Sequence, residues 1–151
     1  MRELLVALFV CLPVLAFAQA PQIKRTNPPT LSTPNGYTHV VEVIGPGKLV
    51  YIAGQLGLDK SGKMVGTDMK AQAEQVFKNL EAALAAAGAK FSDVVKLNTY
   101  VTDVGQIQAY RDVRGKYFGN QPPASTLVQI VHLALPEAVL EVEAVAVVGG
   151  K

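Results

Sequence analysis

Residues 139–148, Val-Leu-Glu-Val-Glu-Ala-Val-Ala-Val-Val, limit what this chain can fold into more than any other stretch. The run is too rich in Val and Leu to be anything but a buried strand, and it alternates. Leu140, Val142, Ala144 and Ala146 point one way; Val139, Glu141, Glu143, Val145 and Val147 point the other. The first face is wholly apolar and demands a core. The second carries two carboxylates, about 7 Å apart along the strand. A carboxylate on such a face is costly unless it is paired, hydrogen-bonded or wetted. Upstream, across a turn at Pro136, residues 121–135 read as another buried strand, headed by Pro123-Ala124-Ser125-Thr126. The carboxylate pair and this head are the first places to look for function.

The remaining elements follow from periodicity. Residues 37–43 and 48–56 are two short strands around Gly45-Pro46-Gly47, and their spacing predicts a hairpin. A helix follows, capped by Thr67 or Asp68 and ended by Gly88. Its apolar stripe is Ala73, Val76, Phe77, Leu80, Leu84 and Ala87. Residues 91–103 hold a third strand. Residues 106–118 hold a second helix, with Ile107, Tyr110, Val113, Arg114, Tyr117 and Phe118 near one face. The order ββ, α, β, α, ββ predicts an α+β fold, one sheet with two helices on one face. No helix is left to cover the other face, so a second copy of the chain is the expected cover.

The N-terminus reads as an export signal over residues 1–18. Arg2 precedes an apolar core that ends in the small-x-small site Ala16-Phe17-Ala18. Cleavage there places Gln19 first and the protein in the periplasm or outside the cell, without a stable membrane anchor. Residues 19–34, with four prolines, read as an extended, mobile segment, and residues 35–151 as the folded domain. The single cysteine, Cys11, falls in the leader, so disulfide and thiol chemistry are excluded from the mature chain.

A net charge of +2 is too small to suggest a nucleic-acid partner. There is no glycine-rich phosphate loop and no Gly-x-Ser-x-Gly elbow. His39 and His132 are not spaced as ligands, and both read as strand histidines, so neither a metal nor a cofactor is expected.

Several motifs in order resemble the Rid family of reactive-intermediate (enamine/imine) deaminases. They are Asn35-Gly36-Tyr37-Thr38, Ala53-Gly54-Gln55, Gln75 to Leu80 with Ala87-Gly88-Ala89, Asp93 to Lys96 with Tyr100 to Asp103, Pro122-Pro123-Ala124-Ser125, and Glu141-Val142-Glu143-Ala144. The resemblance spans about residues 35–148. It implies a chorismate-mutase-like fold and a barrel-like homotrimer with a small-molecule pocket at each subunit interface. It also implies hydrolysis of 2-imino or 2-enamino acids to the 2-keto acid and ammonia. In such a pocket Glu141 would hold water or the leaving nitrogen, and Tyr37 and Gly54 would line it.

The chain departs from the family pattern where an arginine follows Pro-Ala and grips the substrate carboxylate: here that residue is Ser125. A serine offers one neutral donor where bidentate capture needs a guanidinium. The family serine before Gly54 is Ala53, and a pocket asparagine on the second helix is Arg111. Two expectations follow. In one, the protein is an imine hydrolase, with Glu141 and Ser125 as catalytic residues, Tyr37 and Thr126 orienting the substrate, Ala53 and Gly54 beside it, and Arg111 supplying the lost cation. In the other, it is a trimer that binds a small ligand without turnover.

Overall fold

The computed structural model describes residues 20–149; the expected leader and Cys11 lie outside them. Eight elements follow one another: β1 (Gln22–Thr26), β2 (Val40–Ile44), β3 (Lys48–Gln55), α1 (Met69–Ala86), β4 (Val94–Val101), α2 (Ile107–Phe118), β5 (Ala124–Gln129) and β6 (Leu140–Val148). The main sheet has the order β3-β6-β4-β5, mixed in direction, because β5 runs parallel to β4 while the other pairs are antiparallel. The last strand of the chain is therefore a central one. That is why both faces of β6 are rich in Val and Ala, and why its inner side chains Leu140, Val142, Ala144 and Ala146 are all buried.

Both helices lie on that inner face. Asp68 caps α1, its Oδ1 accepting from the Ala71 amide at 3.0 Å. The stripe of Ala73, Val76, Phe77, Leu80 and Leu84 is fully buried, and Gly88 ends the helix with φ +72°. Phe77 stacks on Tyr117 of α2 with ring centroids 4.9 Å apart. The expected α+β architecture is present.

The two-strand hairpin is not. β2 pairs with β1 in a separate two-stranded sheet, Ile23 opposite Val43 and Arg25 opposite Val41, while β3 pairs with β6. The N-terminal segment expected to be mobile thus supplies a paired strand. A free β2 edge and the Gln-Ile-Lys-Arg-Thr run satisfy each other's backbone groups. His132 also departs from expectation: β5 stops at Gln129 and His132 is exposed in the loop beyond it.

Among the described residues, much of the face of the main sheet away from the helices is uncovered. Tyr51 is 76% exposed, Leu49 57% and Val128 41%. On the inner side, the Thr99 and Tyr110 hydroxyls are fully buried and hydrogen-bonded at 2.8 Å. Tyr110→Phe leaves the Thr99 hydroxyl unpaired and should cost about 1–3 kcal/mol of stability in denaturant unfolding. Burial pushes the Tyr110 phenol above its ordinary value, against the opposing Thr99 hydrogen bond and Arg114 charge. The unfolded chain therefore loses this proton first. Tyr110 favours the fold fully below about pH 10 and progressively less as pH rises through the folded value. The alkaline loss of stability should be shallower in Tyr110→Phe; an unchanged slope would count against this account.

Candidate active site

The segment before β2 is tied to the segment before β5. The Thr38 amide donates to the Pro123 carbonyl at 3.0 Å, and the Thr38 hydroxyl donates to the Pro122 carbonyl at 2.6 Å. That tie sets Tyr37 beside Ser125. α2 closes the third side, and the result is a cavity of about 250 Å³ lined by Asn35, Tyr37, Ile107, Tyr110, Arg111, Arg114, Ser125 and Leu127. Three of the residues singled out in the sequence, Tyr37, Arg111 and Ser125, therefore meet at one place.

Two more polar groups there were not singled out. Asn35 lines the mouth. Arg114 is only 8% exposed, with its guanidinium carbon 5.5 Å from the centre of the Tyr110 ring. Its guanidinium occupies the space where Gly36 would carry a Cβ. Gly36, at φ +74°, is thus required both by its backbone and by the arginine packed on it. Among the described residues neither Arg111 nor Arg114 has a carboxylate within 4 Å. The sequence did hold a sign of Arg114, a charged residue within the apolar face of a helix.

Glu141 belongs to a second cluster, on the other face of the sheet. A register shift between Ile52 and Gln55 brings Gly54 opposite β6, and the Glu141 side chain crosses the place a Cβ of residue 54 would fill. Asn79 of α1 steadies the chain just beyond, its amide donating to the Leu56 and Leu58 carbonyls at 3.0 and 2.9 Å. Gln72, fully buried, fixes the approach to β6: its amide donates to the Glu137 carbonyl and accepts from the Val139 amide, both at 2.8 Å. Neither side chain was singled out in the sequence. Glu143 is engaged differently, its carboxylate accepting from Asn98 Nδ2 at 2.6 Å and from the Tyr100 hydroxyl at 3.4 Å. Its charge, with a smaller effect of burial, holds the Tyr100 phenol above its usual range.

Ala53 is exposed on this same face, in a concavity of about 540 Å³ shared with Tyr51, Lys96, Asn98 and Glu143. Thr126 does not join Ser125. Neighbours in a strand face opposite ways, and the Thr126 hydroxyl accepts from Lys96 Nζ at 2.6 Å on the open face. Nor do Ser125 and Glu141 meet within one chain: Ser125 is in register with the buried Leu97, Glu141 with the half-buried Tyr100. Among the described residues no three His, Cys, Asp or Glu side chains gather as a metal site.

The sequence matches the family described as Endoribonuclease L-PSP over residues 30–148. A solved structure of a Rid-family protein from Yersinia pestis superposes with a TM-score of 0.77 at 37% identity, over 83% of this chain and 98% of that one. The chain belongs to the Rid family. Protein DfrA of Myxococcus xanthus is 42% identical over 74% of this chain and 84% of that protein. The 2-iminobutanoate/2-iminopropanoate deaminase of Dermatophagoides farinae is 34% identical over 74% of this chain and 85% of that enzyme. The human protein of the same name is 35% identical over 68% and 74%. The Rid match begins at residue 30, so β1 lies outside it.

Proposed function

We propose that the protein is an exported, homotrimeric Rid-type hydrolase of small 2-imino or 2-enamino acids, with each pocket completed between two copies. The observation that carries this reading is Arg111: it lines the same cavity as Tyr37 and Ser125, so a guanidinium is available where the family arginine is missing. The deaminase names of relatives such as the human protein support the reaction class. Arg111 would hold the substrate carboxylate in a charge-assisted fork, and Tyr37, Ser125 and Asn35 would fix the remaining polar edge. Glu141, presented by a neighbouring copy, would take a proton from water as it adds to C2 of the imine. It would return that proton to nitrogen to give the aminoalcohol, then carry the hydroxyl proton to nitrogen as the C=O bond forms and the C–N bond breaks, releasing ammonia and the 2-oxo acid.

The uncovered sheet face and the separation of Glu141 from the cavity within one chain both favour an assembly. Native mass spectrometry of protein purified from the cell envelope should show three copies, each starting at Gln19. A monomer, or a chain retaining Met1, would contradict the corresponding part of the proposal. Turnover is tested with imines generated in situ by an amino-acid oxidase: the protein should speed 2-oxo acid release. Ser125, a neutral donor, favours a second reading, a trimer that binds such acids without turnover. Saturable binding of 2-oxo acids with no rate effect would select it.

A further inference from the structure

We infer that the cavity between α2 and β5 is built for a ligand with two acid groups, a four- or five-carbon 2-imino or 2-oxo dicarboxylic acid. The inference rests on reading that cavity as the substrate site, and it deepens that reading. Arg111 and Arg114 are three apart on α2 and line one small space. Like charges at this spacing repel. Removing one partner from a buried ion pair is strongly destabilising, and Arg114 is 92% shielded with no carboxylate within 4 Å among the described residues. The only acidic residue in the same stretch of helix, Asp112, is exposed and accepts from Gln108 at 2.7 Å. The Tyr110 ring and the Gly36 backbone pack against Arg114, but neither neutralises its charge.

The two guanidiniums are presented differently to that space. Arg114 is held in place, above the Tyr110 ring and against the Gly36 backbone, whereas Arg111 is half-buried one turn nearer the helix start. The two forks offer two separate seats. Arg111 takes the acid group next to the reacting carbon, and Arg114 takes the acid group at the far end. The volume of about 250 Å³ falls below the usual range of about 300–1,000 Å³ for drug-sized ligands, which limits the acid to a short chain.

Calorimetric titration of the mature protein with stable 2-oxo acids tests this without any catalysis. 2-Oxoglutarate should bind at least about tenfold more tightly than its distal monomethyl ester, which has nearly the same length but one charge fewer. 2-Oxobutanoate should behave like the ester. Arg114→Met should bring the diacid and the ester to equal affinity. Equal binding of diacid and ester by the unaltered protein would overturn the inference, whatever the variant does. A diacid preference without turnover would leave this inference standing and remove the hydrolase reading. Turnover of monoacid imines with no diacid preference would do the reverse.

Discussion

Glu141→Gln should slow imine hydrolysis by about 10²- to 10⁴-fold while leaving the fold and the assembly in place. The amide keeps the size of the carboxylate but can neither accept a proton from water nor return one to nitrogen. Glu141 is half-exposed, so losing its charge should cost the fold little. Glu143→Gln is the informative partner. That carboxylate shares the strand face but is held by Asn98 and Tyr100, so its loss should lower stability and leave turnover within a few-fold. Gly54→Ala is a second route to the same group: the added methyl overlaps the Glu141 carboxylate, and pushing it aside should lower kcat with a smaller change in KM. The measurement is single-turnover release of 2-oxo acid from an imine generated in situ. If Glu143→Gln is inactive and Glu141→Gln is not, the two carboxylates have been given each other's roles.

The parts of this fold that could be read from the sequence are those written in local periodicity. The α1 stripe and its Asp68 cap are local signals, and both are present, except that Ala87 falls at the C-cap and is half-buried. The two faces of β6 follow from its alternation, and they separate as expected from Leu140 to Ala146, Val142 buried and Glu141 half-exposed, while Val147 on the open side is buried as well. Strand partners were less legible, since a ladder between distant segments leaves no local mark. A Gly-Pro-Gly turn suggested a hairpin, but β3 finds β6 across almost a hundred residues and β2 finds β1. The error at Thr126 has a different origin. Ser125 and Thr126 are neighbours in a strand, and its period of two sends their side chains to opposite faces. Arg114 sits on the helix face where periodicity places it, buried with Tyr110 and Val113, but periodicity does not say what a buried cation serves.

Arg111→Ala should reduce turnover of 2-imino acids by roughly ten- to two-hundredfold if Arg111 supplies the carboxylate grip. A hydrogen bond to a charged group contributes roughly 1.5–3 kcal/mol, and each 1.36 kcal/mol is about tenfold in rate. Losing both arms of a fork reaches the upper end of that range. The effect should fall on kcat/KM, and it should be matched by weaker binding of 2-oxobutanoate, a stable acid that needs no chemistry. Ser125→Arg is the converse change. Ser125 is half-buried in the same cavity, so a guanidinium there would restore the family's own grip but add a third cation beside Arg111 and Arg114. In the unaltered background the gain in activity should therefore be small, because like charges crowd a space of about 250 Å³. Combined with Arg111→Ala, which removes the crowding cation, Ser125→Arg should recover most of the lost rate. Full activity in Arg111→Ala alone would show that Arg111 is a bystander and that the carboxylate is held elsewhere. A double variant as inactive as Arg111→Ala would show that residue 125 cannot reach the acid group, and that this chain grips its ligand from α2 in a way the family arginine cannot replace.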